Sequence, residues 1–437
     1  MQKLKILIIG AGGGREHALG WKIAQSPRAG ELFFARGNAG TAELGTNLEI
    51  KETEVLKLVE FAKKNQIDLT LAVSDDPLAL GVVDEFRKNS LRIWGPTKAA
   101  ARTEWSKSFS KDFMRRHNLP TAKFKTFNNF AKAKEYVVRQ LLPIVIKADG
   151  LAFGKGVIIC QTQNEAIEAL DNIMVKKIFG DSGKAVVIEE FLTGPEISIH
   201  ALSDGKNYKI FPTSQDHKRA GEGDTGPNTG GVGVIGPLPF VNKEMLDKIE
   251  KEIIAPTLKT MSDDGIPFEG ILYPSLMLTK EGPKIIEFNA RFGDPECQVY
   301  MRLLDTDLLD IIDACLNQKL DQIEIKWKDL FACNIALASG GYPGNYEKEK
   351  EIFGVPPLLV EEGAGGGDIV IFHAGTKQNE NGKLVTNGGR VLGVSATGNS
   401  LQEALDKAYK AIKKITFEGM QYRKDIGKKA LALGRLR

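Results

Sequence analysis

The first hundred residues alternate apolar runs of strand length with segments of helical period, and this alternation constrains the fold more than any other feature of the chain. LKILIIG, LFFARG and DLTLAVS read as strands, while REHALGWKIAQS and EVLKLVEFAKKNQ read as helices. Strands that alternate with helices predict a parallel α/β unit, because parallel neighbours need a crossover between them. This unit, Rossmann-like in outline, is expected over residues 1–103 and closes at the Gly-Pro turn of WGPTKAA.

A chain of 437 residues has room for two to four domains. After residue 103 comes a helix, SKSFSKDFMRRHN, ended by Pro120. A helix over 130–140, the strands PIVIKA and GVIIC, a helix near 163–177 and the strand AVVIEEF follow. They predict a small α+β lobe at about 122–192 within a larger unit, 104–326. Segment 213–237 shows no apolar periodicity and reads as a long polar loop, of the kind that is usually functional or disordered. Residues 327–437 read as a small β-rich domain with several short strands, a turn at EEGAGGGD and one helix, NSLQEALDKAYKAIKKI.

Composition removes several classes of function. A net charge of +3 is too mild to argue for nucleic acid. No stretch approaches the roughly 18 apolar residues of a membrane helix, and ILIIG is too short for a signal peptide. The four cysteines, Cys160, Cys297, Cys315 and Cys333, form no CxxC pair, which points to reduced thiols in a cytoplasmic chain.

Four stretches can carry chemistry. GAGGGREHA at 10–18 lies between a strand and a helix, but a dinucleotide fingerprint fails twice: position 15 is Arg where Gly10 and Gly12 ask for glycine, and position 17 is His where Gly12 and Gly14 do. A glycine turn at a helix start can still bind an anion through its N–H groups, with Arg15 and His17 nearby; the plainer reading is a tight turn. KADGLAFGKGV at 147–157 is not a P-loop, since three residues rather than four separate Gly150 from Gly154 and no hydroxyl follows Lys155. It is either a phosphate-contacting loop or a turn between strands. IEEFLTGPE at 188–196 has the form of a hinge that could hold a base by its main chain, or of a strand end with solvated carboxylates. In KIIEFNARFGDPE at 284–296, Glu287, Asn289 and Arg291 alternate, so they share one strand face. Two oxygen ligands there suit Mg²⁺, and Arg291 can neutralise a developing phosphoryl charge; a structural ion-pair cluster would use the same letters.

Taken in order, GGREHAL, GNAGT, GPTKAAA, SKSFSKDFM, KADGLAFGKGV, IEEFL, QDHKR, GDTGPNTGG, EFNARFGDPE, GGYPG, FHAGT, GGRVLGV and YRKDIG closely resemble the phosphoribosylamine–glycine ligase family of ATP-grasp enzymes, nearly end to end. The resemblance implies ATP with Mg²⁺ or Mn²⁺ as cofactors, glycine and 5-phosphoribosylamine as substrates, and a glycyl phosphate intermediate. It assigns Lys107 and Lys147 to ATP phosphates. Gly150, Gly154, Lys155 and Gly156 become a lid over the β- and γ-phosphates. Glu189, Glu190, Phe191 and Leu192 become the adenine hinge, and Glu196 the ribose ligand. Glu287 and Asn289 become metal ligands, with Lys155 and Arg291 as catalytic cations. Substrate contacts are expected from Gly13, Arg15 and Asn38 at the sheet edge. Others are expected from Asp216, Lys218, Arg219, Asp224, Asn228 and Thr229 in the polar segment, and from Arg291, Asp294 and Glu296.

The chain departs from the family pattern in places: VSDDP stands for GPEAP, GGVGV for GGMGA, YPSLM for YAGLM, and Ser275 falls near the place of a further metal carboxylate. Three other readings stand beside this one: a ligase for another carboxylate and amine, an NAD-dependent redox enzyme built on residues 1–103, and a nucleotide-binding regulator without turnover.

Overall fold

The computed structural model describes residues 3–151, 156–356 and 367–434. Five strands, β1 (Leu4–Ile9), β2 (Ala29–Ala35), β3 (Thr46–Asn47), β4 (Leu69–Ala72) and β5 (Ile93–Trp94), form a sheet in the order β3-β2-β1-β4-β5. All four pairings are parallel. Along β1 the side chains part by period two: Leu7 and Ile9 enter one apolar cluster, Ile6 and Ile8 another. Both faces of the sheet are therefore covered. The order reverses between β1 and β4, and at such a switch point a crevice opens beyond the carboxyl ends of the strands. Gly10–Gly13 and Ser74–Asp76 lie there.

The next lobe is an antiparallel sheet of β6 (Phe124–Phe127), β7 (Ile144–Ala148), β8 (Val157–Cys160) and β9 (Val186–Glu190), in the order β6-β9-β7-β8. It has its own apolar cluster, in which Ile144, Ile146, Val186 and Ile188 of the sheet meet Ala133 and Val137 of the helix Phe130–Val138 and Ala166 and Leu170 of the helix Gln163–Leu170. A lobe with a separate core can move as a unit.

There follow β10 (Glu196–Ser198), β11 (Ala201–Asp204), β12 (Tyr208–Ile210), β13 (Gln215–Asp216), β14 (Arg219–Gly221), β15 (Thr225–Asn228), β16 (Gly233–Gly236), β17 (Glu269–Thr279) and β18 (Gly282–Asn289). The long strand β17 pairs antiparallel with β10, β11 and β18. Segment 213–237 is thus no featureless loop, for it contains β13 to β16. The hairpin of β14 and β15 turns through Gly223 and Asp224, with φ of 69° and 59°. Its strands and β13 are half-buried or exposed, so no apolar alternation marks them in the sequence.

Beyond them lie β19 (Phe331–Ala338), β20 (Ile369–His373), β21 (Thr376–Gln378), β22 (Leu384–Thr386) and β23 (Arg390–Gly398). β19 and β23, at eight and nine residues, are longer than the short strands expected; they are buried almost throughout, which hides the alternation by which strand length is read. One sheet, β13-β16-β19-β23-β20, draws strands from both sides of residue 326. The turn expected at 361–368 falls mostly outside the described residues. Among the described residues no helix is long and apolar enough to cross a membrane.

Candidate active site

The crevice beyond β1 and β4, the inner face of the small lobe, the β17–β18 floor and the β13–β15 segment enclose one cavity of about 810 Å³, within the ~300–1,000 Å³ usual for ligand sites. Of the cofactor, metal and substrate residues that the family resemblance assigns, all those described line this cavity except Gly150 and Asn38. Gly154 and Lys155 lie outside the described residues.

The lysines come from two directions. Lys107 opens the helix Lys107–Arg116, whose start is tied to the small lobe: Asp149 Oδ1 accepts the Ser108 N–H at 2.6 Å. Lys107 Nζ donates to the Gly150 carbonyl at 2.9 Å. Lys111 follows one turn later on the same face. Lys111 and Lys147 both pair with Glu189, at 3.2 and 3.1 Å. The Glu189 side chain, expected in the adenine hinge, is thus committed between two buried cations. Its neighbours Glu190, Phe191 and Leu192 continue along the cavity wall. Burial pulls the Lys111 ammonium down to about 8, against the opposing pull of Glu189.

On the floor, Glu287 and Asn289 face the cavity as period two requires; Arg291, expected on the same strand face, lines the cavity from the bend just past the end of β18. Burial would raise the Glu287 pKa, but Lys218, Lys147, Lys107 and Arg291 together hold it down to about 2. Its nearest cation, Lys218 Nζ, stays 3.7 Å away. This is an ionised carboxylate in a basic cavity with no close partner, beside the carboxamide of Asn289. That donor set fits a hard divalent cation, which takes one or two protein oxygens and completes its shell with water and phosphate. Among the described residues no group of three or more His, Cys, Asp or Glu converges as a metal cage. Ser275, opposite Glu287 in the β17–β18 pairing, donates to Glu196 Oε1 at 2.7 Å. Lys218 Nζ reaches the same oxygen at 2.6 Å.

Toward the N-terminal sheet the cavity turns acidic. Glu296 Oε1 accepts from Tyr273 Oη at 2.6 Å and Ser198 Oγ at 3.0 Å. Asp216 Oδ1 is buried without a hydrogen-bond partner, and burial beside Glu296 raises its pKa well above the carboxylate range. Asp294 pairs with Arg390 at 3.0 Å. Thr229 Oγ1 donates to the Lys218 carbonyl at 2.9 Å, fixing the segment that presents Lys218 and Asn228.

Several of the residues expected at the substrate are engaged by the protein itself. The Gly13 N–H, expected to be free for a substrate anion, donates to Glu16 Oε2 at 2.8 Å; the helix supplies its own carboxylate. Arg15 is spent on Glu16, at 2.8 Å, and on the Phe292 carbonyl. His17 is fully buried against Phe372 and His373, away from the cavity. Asn38 is off the cavity wall: its Nδ2 donates to the Gly12, Gly13 and His373 carbonyls, and its Oδ1 accepts from Gly40 and Thr41. Arg219 Nη1 donates to the Gly226 carbonyl at 2.6 Å across its own hairpin. Asp224 pairs with Arg423 and Lys429, so it anchors the hairpin to the C-terminal part.

The sequence reading missed Glu104, Lys111, Tyr273 and Arg390, which all line the cavity. Lys111 was accessible from its spacing of four from Lys107. The other three reach the site from distant elements and carry no local signal.

A small antiparallel lobe over a larger sheet, with lysines from the lobe and from the helix before it facing a carboxylate and a carboxamide on the floor, defines an ATP-grasp enzyme. Family models match in order: the phosphoribosylglycinamide synthetase N domain over residues 4–104, its ATP-grasp (A) domain over 105–297 and its C domain over 332–429. The chain belongs to the phosphoribosylglycinamide synthetase family. A phosphoribosylamine–glycine ligase of Vibrio parahaemolyticus is 49% identical over 432 residues, 98% of this chain and 99% of its own length. That of Caldanaerobacter subterraneus is 46% identical over 423 residues, 97% and 99% of the two chains. The crystal structure of the Thermotoga maritima phosphoribosylamine–glycine ligase superposes with a TM-score of 0.83 at 36% identity, covering 97% of this chain and 100% of that one. The biotin carboxylase domain of Hydrogenobacter thermophilus 2-oxoglutarate carboxylase, in complex with MgADP, shares the fold with a TM-score of 0.73 at 13% identity, covering 99% of each chain.

Proposed function

We propose that this chain joins glycine to 5-phosphoribosylamine at the expense of ATP, giving glycinamide ribonucleotide, ADP and phosphate, the carbon–nitrogen ligation of purine biosynthesis. A glycine carboxylate oxygen attacks the γ-phosphorus and ADP leaves. The amine of phosphoribosylamine then attacks the acyl carbon of glycyl phosphate, phosphate leaves, and the amine gives up a proton. Activation is needed because a carboxylate is a poor electrophile at neutral pH.

The observation that carries this reading is the convergence of Glu287, Asn289 and Arg291 with Lys107, Lys147 and Lys218 on one cavity whose far end is acidic. Lys107 and Lys147 hold the phosphates, the wall from Glu190 to Leu192 receives adenine, and Glu196 receives ribose. Glu287 and Asn289 would hold Mg²⁺ or Mn²⁺, which when bound offsets phosphate charge. Arg291 steadies the transferred phosphoryl group, since phosphoryl transfer depends chiefly on positioning and electrostatics. Asp216 and Glu296 suit the amino groups of the substrates. The partners are small molecules, and the free, buried state of all four cysteines agrees with a cytoplasmic enzyme. The test is ADP release by the purified chain. It should require glycine and phosphoribosylamine together; release supported by another carboxylate alone overturns the assignment.

A further inference from the structure

Arg291 does not hold its own orientation. Its Nη2 stands 2.7 Å from Glu104 Oε1 and donates to Asn289 Oδ1 at 3.0 Å, while Nη1 donates to the Phe292 carbonyl at 3.3 Å. Its Nε has no partner. Glu104 therefore supplies the one ionic contact of this guanidinium within ion-pair distance among the described residues; the remaining acceptors are neutral.

The carboxylate of Glu104 does two things at once. Oε1 faces the guanidinium, and Oε2 accepts the Ala290 N–H at 2.8 Å. One carboxylate thus fixes both the side chain of Arg291 and the backbone one residue before it, as the strand leaves β18. The Glu104 side chain is 8% exposed and that of Arg291 17%, so water screens the pair little. Glu104 lies in the last turn of the helix Lys98–Trp105. It thus comes from the end of the N-terminal segment, three residues before Lys107.

We propose that Glu104 is a positioning residue for phosphoryl transfer: it aims the Arg291 guanidinium at the transferred group without contacting substrate. The inference rests on the role given to Arg291 above. A guanidinium left with only neutral acceptors has several rotamers of similar energy, and a misplacement of ~1 Å can cost about 10²-fold in rate.

Glu104→Gln keeps an acceptor for Ala290 and removes the charge. Steady-state kinetics should show kcat lowered roughly 30- to 100-fold, with KM for ATP and glycine changed less than about threefold. A purely architectural role would not give the second readout, a double-mutant cycle with Arg291→Ala. If Glu104 acts through Arg291, Glu104→Gln/Arg291→Ala is no slower than Arg291→Ala alone; penalties that multiply, or a kcat of Glu104→Gln within twofold of wild type, overturn the proposal. A raised KM for glycine or phosphoribosylamine would instead mark Glu104 as a substrate contact, and would also overturn it. Should Glu104→Gln not fold, the same cycle is run with Glu104→Asp, which keeps the charge but draws it back by one methylene, and the same outcomes decide. Failure of the wild-type chain to turn over all three substrates is distinguishable from these results: it overturns the proposed function, and the positioning role with it.

Discussion

The hydroxyl of Ser275 donates a 2.7 Å hydrogen bond to Glu196 from the strand position directly across from Glu287. It places a neutral hydroxyl where a second carboxylate would compete with Glu196 for Lys218. Ser275→Ala should leave Glu196 with Lys218 alone. A hydrogen bond to a charged group is worth ~1.5–3 kcal/mol, and part of this should appear in nucleotide binding. We expect KM for ATP to rise about three- to tenfold with kcat nearly unchanged. An unaltered ATP titration would remove Glu196 from the ribose site.

Glu287→Ala removes the carboxylate best placed to take a metal ion. The expected loss in kcat is about 10²–10³-fold, the scale of one electrostatic contact made in the transition state. The circular dichroism spectrum should keep its native form, while the denaturation midpoint should fall, because the four cations that hold this carboxylate at about 2 lose their counter-charge. Recovery of normal turnover at saturating Mg²⁺ would refute the assignment.

Gly150 packs where a methyl group does not fit. A Cβ there would lie 2.5 Å from Ser182 Oγ and 3.1 Å from its Cα. Gly150→Ala must push apart the loop and the Gly180–Lys184 turn, and shift the carbonyl that Lys107 grips at 2.9 Å. We expect weaker ATP binding, by about tenfold for a shift worth ~1.4 kcal/mol, with little change in KM for glycine. Equal effects on both constants, or none, would place the loop away from the nucleotide.

His217 gives a stability prediction with a definite sign. Burial lowers its pKa to about 4, although its Nδ1 hydrogen bond to the Gly233 carbonyl opposes the shift. An unfolded histidine titrates near 6.5. Between pH 6.5 and 4 the unfolded chain takes up a proton that the folded chain refuses, so this contribution is present above pH 6.5 and lost as pH falls through the window. The loss reaches about 3 kcal/mol at the bottom. Urea midpoints at pH 7, 5.5 and 4.5 should fall less steeply for His217→Gln than for the wild type. Parallel acid limbs would show that His217 titrates normally. Burial likewise lowers His373 to about 4, so part of the slope should survive in the variant.

What the sequence made legible was whatever followed a short period. The β1–turn–helix unit and the shared face of Glu287 and Asn289 needed only spacings of two and four. The start of the first helix shows how a correct local reading can still mislead. Glycines before a helix do offer N–H groups to an anion, but Glu16, three residues after Gly13, is itself that anion, at the spacing by which an acidic side chain reaches back to a helix start. Asn38 looked like a substrate ligand because it sits at the correct sheet edge; its bonds to Gly12 and His373 show it holding that edge together. Glu104 and Arg390 were invisible for the opposite reason. Each reaches the site from more than 90 residues away from its partner, Arg291 or Asp294, across a tertiary contact that no periodicity records.

Strand β16 joins the parts of the chain more tightly than the family's three-part division suggests. Gly233 to Gly236 are paired residue by residue with Ile335 to Ala332 of β19, and Val234 and Ile235 are wholly buried. A version ending near residue 326 would present those two apolar residues on an open strand edge, the kind of surface that recruits other chains and precipitates. The C-terminal part is therefore not a cassette that can be exchanged between relatives at its own first residue. A functional chimaera has to carry the strands from Gln215 to Gly236 with it, and with them Asp216 and Lys218, so substrate contacts and C-terminal part are inherited as a single piece.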